Sequence, residues 1–404
     1  MTQKLIQQTF ERGQGVLRLL PAFVPYRFNQ PGGRLRLHPD DLYPLGLAYG
    51  SVKERWFCST LQPFKHDKQH PEIGTSYVAC GPDTQEKFSF RDAVEELGAD
   101  LIGPFLNETY HTWPMHAKFF DYRLPLFHHL HFGDEAAAHL GWPGKPEAYY
   151  YPVQLNHYPG EFPLTYFGFD PGVSKEQVKA RLRDWDNRDT RITELSRAYR
   201  IELGSGWYTP PGVLHAPGSY LTYEPQWNSL VGGVFENIAS GEINEFRGLT
   251  KALPEEKRAD LDAILDLLDW EKNVDPLYRQ HYFRPAVPRE TGDTRFTSKW
   301  IVYGNPYFSA LELSVAPGQQ VLVKDEAAYG CVVIQGHGSI GPHAAEAPGL
   351  LRYGQQSADE FFVSEETARS GVVVNNHSLY EPLVVLKHFG PNNKSAPQQA
   401  PDAT

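Results

Sequence analysis

No apolar run in this chain approaches the roughly 20 residues that a membrane-spanning helix needs. The opening stretch, "MTQKLIQQTFERGQ", lacks the apolar core of a secretory leader, so secretion is not expected. Basic residues are outnumbered, 38 Lys and Arg against 49 Asp and Glu, for a formal net charge of −11. With no basic stripe or Arg/Lys run, neither nucleic acid nor an anionic membrane is the expected partner. Cysteine is scarce. Cys58, Cys80 and Cys331 are scattered, giving neither a disulfide framework nor a zinc-knuckle spacing, and a reducing, cytoplasmic setting is expected. There is no Walker-type phosphate loop and no short-period repeat.

What remains is an ordinary globular composition, 41% hydrophobic and 22% charged, over 404 residues, enough for two or three domains. Glycine (35) and proline (33) punctuate the whole chain. Between them lie short β-rich runs such as "RWFCSTL", "TSYVACG", "AYYYPVQL", "LTYFGF" and "RAYRIEL", the pattern of an all-β sandwich or barrel. Two helical patterns interrupt them. "SKEQVKARLRDW" opens with a capping box, Ser174 with Gln177, and sets Val178, Leu182 and Trp185 on one face. "PEEKRADLDAILDLLDWE" places Leu261, Ile264, Leu265 and Leu268 at helical spacing and reads as a hinge piece between two β units. A second set of strand-like runs occupies residues 295–390, and the polar, Pro-rich residues 391–404 are expected to be disordered.

The stretch "LPLFHHLHFGDE" carries His128, His129 and His131. In extended chain, residues two apart share a face at a rise of about 3.3 Å each, so His129 and His131 can bind one ion. His128 faces the other way, with Leu126 and Leu130, and reads as a core or surface side chain. "GKPEAYYY" then places Glu147 at the start of a strand-like run, and "GWYTPPGVLHAPG" places His215 just after a Pro-Gly turn. Singly, Glu147 reads equally as a solvated acid and His215 as a loop residue. Together, three imidazoles and a carboxylate from separate strands make an open, catalytic type of metal site.

In this order the motifs resemble the type I mannose-6-phosphate isomerases, a family built on cupin barrels. "SVKERWFCST" is similar to the family's Gly-Glu-x-Trp-x-x-Ser segment, with Glu54, Trp56 and Ser59 in place. "FSFRDAVEELGADLIGP" resembles its short helix and Leu-Gly turn, and "WPMHAKFFDYRLPLFHHLHFGDEAA" its Lys-Phe-x-Asp run leading to Gln-x-His-Pro-Asp-Asp. "GKPEAYY", "TPPGVLHAPG" and "ILDLLDW" resemble three further segments in the same order. The earlier "LRLHPDD" copies the family's His-Pro-Asp-Asp letters but precedes the Glu54 segment and has Arg36, which cannot be a ligand, before its histidine; it reads as a turn.

The resemblance implies a mainly β fold: two cupin-type (jelly-roll) β-barrels joined by a short helical segment. It implies a metal-binding N-terminal unit over 1–240 with a helical insertion near 174–185, a helical linker over 241–294, and a metal-free C-terminal unit over 295–390. It carries His129, His131, Glu147 and His215 over as ligands of one divalent ion, and Glu54 and Lys145 as the polar, catalytic residues of the pocket. Zinc is the family expectation. The chain has His129 where the family has Gln, and this nitrogen-rich set widens the choice to iron, manganese or nickel.

A second departure concerns the family's catalytic arginine, whose position falls on Gly233, with none nearby before Arg247. The expected activity is therefore aldose–ketose isomerisation of a sugar or sugar phosphate, with weak turnover of mannose 6-phosphate and space left beside the metal by the glycine. The alternative is a cupin oxidoreductase or dioxygenase, or a non-catalytic carbohydrate-binding protein.

Overall fold

A computed structural model describes residues 2–63, 67–82, 84–391 and 393–400. The chain is mainly β, and among the described residues every strand pairing is antiparallel except one isolated parallel bridge between Leu37 and Leu351. Of the closed jelly-roll barrels expected, the coarser part holds: the strands form several antiparallel sheets, and none closes on itself among the described residues. No described helix is long and apolar enough to cross a membrane.

Two sheets make the N-terminal half. A seven-stranded sheet runs in the order Phe283–Pro285, Ser205–Thr209, Glu147–Tyr150, Thr222–Trp227, Met115–Phe120, Ser51–Phe57, Ala22–Tyr26. A five-stranded sheet of shorter strands runs Ser196–Arg200, Leu164–Phe169, His215–Ala216, His129–Leu130, Gly233–Val234. The C-terminal half has a nine-stranded and a four-stranded sheet, whose inner faces share a Val/Leu-rich core including Leu313, Val333, Val385, Val321 and Val374. Two strands had no distinct sequence signal. Val16–Leu20 lies far from its partner in sequence but pairs with Glu360–Val363 in the nine-stranded sheet, and Ala22–Tyr26 then crosses to the edge of the seven-stranded one.

The long helical pattern after residue 253 resolves into two short helices, Leu261–Leu265 and Trp270–Asn273. Asp269 breaks it by capping the second: its side chain accepts from Lys272 N. Ile264, Leu265 and Leu268 are buried as the spacing implied, in one cluster with Phe169 of the five-stranded sheet and Leu214 just before its His215–Ala216 strand. Helix Lys175–Leu182 has its Ser174/Gln177 capping box and meets the first of these helices through Lys179 and Asp262. Of the C-terminal stretch, 393–400 runs along the nine-stranded sheet, with Asn393 donating to Ser309 Oγ and Gly304 N to Pro397 O. Residues 401–404, also expected to be disordered, lie outside the described residues.

Candidate active site

The site lies between the seven- and five-stranded sheets, in a cavity of about 240 Å³ lined by residues of both. Strand alternation decides what faces it. On Met115–Phe120, Lys118 and Phe120 line the cavity while Met115, Ala117 and Phe119 enter the core behind the sheet. The same split gives Glu147 and Tyr149 against Ala148 and Tyr150, and Glu224 against Tyr223 and Trp227. Direct pairing of Glu224 with Lys118, and of Gln226 with both Glu147 and His116, lays these polar groups in adjacent rows.

From the opposite sheet come the histidines. Ligand atoms of His129, His131 and His215 lie within 4.8 Å of one another. Each ring uses Nδ1 on a backbone carbonyl, Phe127 O at 2.9 Å, Val231 O at 2.7 Å and Val213 O at 2.8 Å, which turns each Nε2 inward. Glu147 reaches across, Oε2 at 2.9 Å from His131 Nε2 and Oε1 at 3.1 Å from His215 Nε2. Burial, reinforced by the neighbouring imidazoles, holds His129 well below the usual histidine range; burial and then Lys145 bring His131 down to about 3. Both are therefore neutral, the form that binds metal. Burial opposes the Glu147 charge, but Lys145, His131 and His215 together outweigh it and hold the carboxyl well below its ordinary range. The buried His215 Nε2 has no hydrogen-bond partner. Imidazoles oriented through Nδ1, a carboxylate within reach of two of them and an inward Nε2 that faces it without a hydrogen bond fit a divalent cation.

His215 is positioned from behind. Asn273, fully buried, accepts from Leu214 N through Oδ1 and donates to Gly212 O and Asp269 O through Nδ2, fixing the turn before it. His128 points away: its Nδ1 is 2.8 Å from Glu236 Oε2 and its ring packs on Tyr166. Leu126, expected beside it, instead reaches the cavity, because the chain before His129 is not in a strand. The "HPDD" stretch is a turn, with Asp41 accepting from Arg352 and Tyr353.

Lys145 and Glu54 line the same cavity. Lys145 Nζ is 2.9 Å from His131 Nε2, 3.0 Å from Glu147 and 3.9 Å from Glu224. Glu54 accepts from Trp56 Nε1 at 2.8 Å and from the Tyr122 hydroxyl, with Lys118 Nζ at 3.4 Å. Sequence reasoning missed Lys118, Glu224, Tyr122 and Lys251. Burial and the Glu147 charge raise the Glu224 carboxyl well above its ordinary range. For Lys118, burial acts against the charge, but Glu224 and Glu54 outweigh it and raise the ammonium. Charged residues alternating into aromatic runs, as in "AKFF" and "TYEPQW", were the available signal. A buried charge so placed implies a partner across the sheet.

Gly233 lines the cavity, beside Gly232. A Cβ there would lie 3.1 Å from the Phe132 ring and 3.4 Å from Leu249 O, so a side chain would point into that packing; at Gly232 it would meet His131 instead. The pocket-lining cation on this side is Lys251, which has no ion-pair or hydrogen-bond partner among the described residues, and whose pKa burial and Lys145 lower.

The fold and site together define a class: a mainly antiparallel β protein with a histidine–carboxylate centre between two sheets. Solved structures sharing this fold include the mannose 6-phosphate isomerase of Bacillus subtilis, at TM-score 0.61 and 19% identity over 93% of this chain and 100% of that one. A putative mannosephosphate isomerase from Archaeoglobus fulgidus matches at 0.60 and 16%, over 93% and 97%. A zinc-bound mannose 6-phosphate isomerase matches at 0.58 and 12%, over 93% and 100%. At these identities the shared property is the fold. The chain matches no protein-family model and no curated protein sequence.

Proposed function

We infer that this protein is a metal-dependent aldose–ketose isomerase of a sugar or sugar phosphate. The observation that carries the reading is one cavity holding both a three-histidine, one-carboxylate donor set and a second buried carboxyl, Glu224, 3.9 Å from Lys145 and raised well above its ordinary range by burial and the Glu147 charge. In this reading His129, His131, His215 and Glu147 hold one divalent ion, zinc being supported by the zinc-bound fold neighbour and iron, manganese or nickel by the nitrogen-rich set. The paired seven- and five-stranded sheets, and the nine- and four-stranded sheets, support a description as two cupin-type units with the division near residues 241–294.

Isomerisation moves one proton between adjacent carbons and a second between the oxygens those carbons carry, and passes through an enediol. A bound divalent ion would polarise the sugar oxygens at those carbons. Glu224 is suited to the transfer: a carboxyl with a raised pKa is a stronger base when ionised and a usable acid when protonated. It takes the proton from one carbon and returns it to the next. Lys145, between Glu224 and the donor set, stabilises negative charge on the substrate oxygen. Glu54, fixed by Trp56, Tyr122 and Lys118, accepts from a sugar hydroxyl. Lys251, unpaired at the cavity, gives a phosphate its cation.

The test is solvent deuterium incorporation. Sugar phosphates incubated in D₂O with metal-loaded protein should gain deuterium at the carbon next to the carbonyl. Glu224→Gln should lose the exchange while keeping its metal. No exchange into any aldose or ketose, with oxygen consumed by an iron- or manganese-loaded sample, would replace this reading with the oxidoreductase alternative that the same donor set permits.

A further inference from the structure

The cavity also has an apolar edge that the proton-transfer scheme does not use. Phe127 precedes His129 by two residues, and its ring centroid is 5.6 Å from that of His129. Phe28 stands edge-on to Phe127 at 5.5 Å and stacks on Tyr26 at 4.9 Å. Both phenylalanines line the cavity and both are only half-buried, although Phe28 also packs beside Tyr122 against the core, their ring centroids 5.9 Å apart.

The segments that carry them are tied together. Asn29 Nδ2 donates to Leu124 O at 2.7 Å and to Pro125 O at 3.2 Å. The hairpin Ile238–Ala239/Glu242–Ile243 closes over the same junction, Glu242 Oε1 accepting from Asn29 N and Ser240 Oγ donating to Pro125 O, each at 2.6 Å. The rings are therefore held in place before a ligand arrives, and binding need not order them.

From this we propose that Phe28 and Phe127 form an aromatic platform that takes the C–H face of a cyclic sugar, so that the site receives its substrate as a closed ring. The inference rests on the sugar reading above. A pyranose has hydroxyls around its rim and a face of C–H groups, and an aromatic ring offers that face a complementary, weakly negative surface. An open chain presents no such face. The polar groups needed by the rim, Glu54, Tyr122 and Lys118, line the same cavity. A ring resting on Phe127 lies directly beside His129, which brings its oxygens to the donor set.

The experiment is calorimetric titration of metal-loaded protein with mannose 6-phosphate, a ring, and mannitol 6-phosphate, an open chain of the same charge. Phe127→Ala should weaken the ring ligand roughly tenfold and the open chain less than threefold, with Phe127→Tyr restoring the ring ligand. Phe28→Ala should repeat the pattern if Phe127→Ala fails to fold. Equal loss for both ligands, no loss for either, or no measurable binding of the ring sugar would overturn the platform. The outcome separates from that of the exchange test: ring preference without deuterium exchange would leave the platform standing and remove the isomerase.

Discussion

Each histidine of the centre is aimed by what its other nitrogen does. Because Nδ1 of His129, His131 and His215 is occupied by a backbone carbonyl, Nε2 is turned inward and the ring cannot flip without losing a hydrogen bond. His131→Ala should therefore remove retained metal almost completely, measured as metal per protein after dialysis. His128→Ala should leave that ratio unchanged, since its partner is Glu236. Equal loss from both would refute the ligand assignment. Lys251 gives a second expectation at this scale. With no internal partner, Lys251→Met should not lower stability, but should raise KM for a sugar phosphate about tenfold and leave the unphosphorylated sugar unaffected. An equal rise for both would remove its role as the phosphate cation.

Among the elements, the short helix Trp270–Asn273 matters more than its length suggests. It packs on Phe169 of the five-stranded sheet and, through Asn273, ties down the turn that presents His215. Asn273→Ala would strand the buried Leu214 N and take one of two hydrogen bonds from each of Gly212 O and Asp269 O. The expected cost is about 2 kcal/mol of stability or more. Metal affinity should fall too, because His215 loses its fixed approach. Denaturant melts with and without added metal would show it; a variant as stable as the parent, with unchanged affinity, would contradict the argument.

Over the whole molecule, the strands that carry the site on one face carry the seam to the C-terminal half on the other. Behind Glu54, Arg55 makes a two-pronged ion pair with Asp359 and reaches Glu360. Tyr150, next to Tyr149, donates to Glu312, and Tyr223, next to Glu224, bonds His388 Nδ1. The C-terminal half therefore backs the floor of the cavity without adding a side chain to it. Buried histidines at and near this seam should make the protein acid-sensitive. Burial brings His388 down to about 3 from an ordinary 6.5, and His116, buried against Trp56, is likewise brought to about 3. The unfolded chain takes up these protons near 6.5 and the folded one only near 3, so unfolding is favoured progressively as pH falls through that window. Their full contribution is present above 6.5. Tm should drop steeply between pH 6.5 and 4, and His388→Gln should flatten the slope even if it lowers Tm at neutral pH. An unchanged slope would show that His388 already titrates normally.

The sequence alone determined those features whose physics is local. Alternation put His129 and His131 on one face and His128 on the other, the Ser174–Gln177 box started a helix, and Gly- and Pro-bounded β runs announced a β protein. Tertiary structure decided the rest, because pairing across long separations has no local signature. Nothing around Val16–Leu20 names its partner Glu360–Val363, and nothing near Lys118 says that Glu224 lies opposite it. Gly233 shows the same limit. Its place along the chain suggested space beside the metal; the direction in which a side chain would leave the backbone, into Phe132 and Leu249, depends on two strands and a helix brought together only by folding.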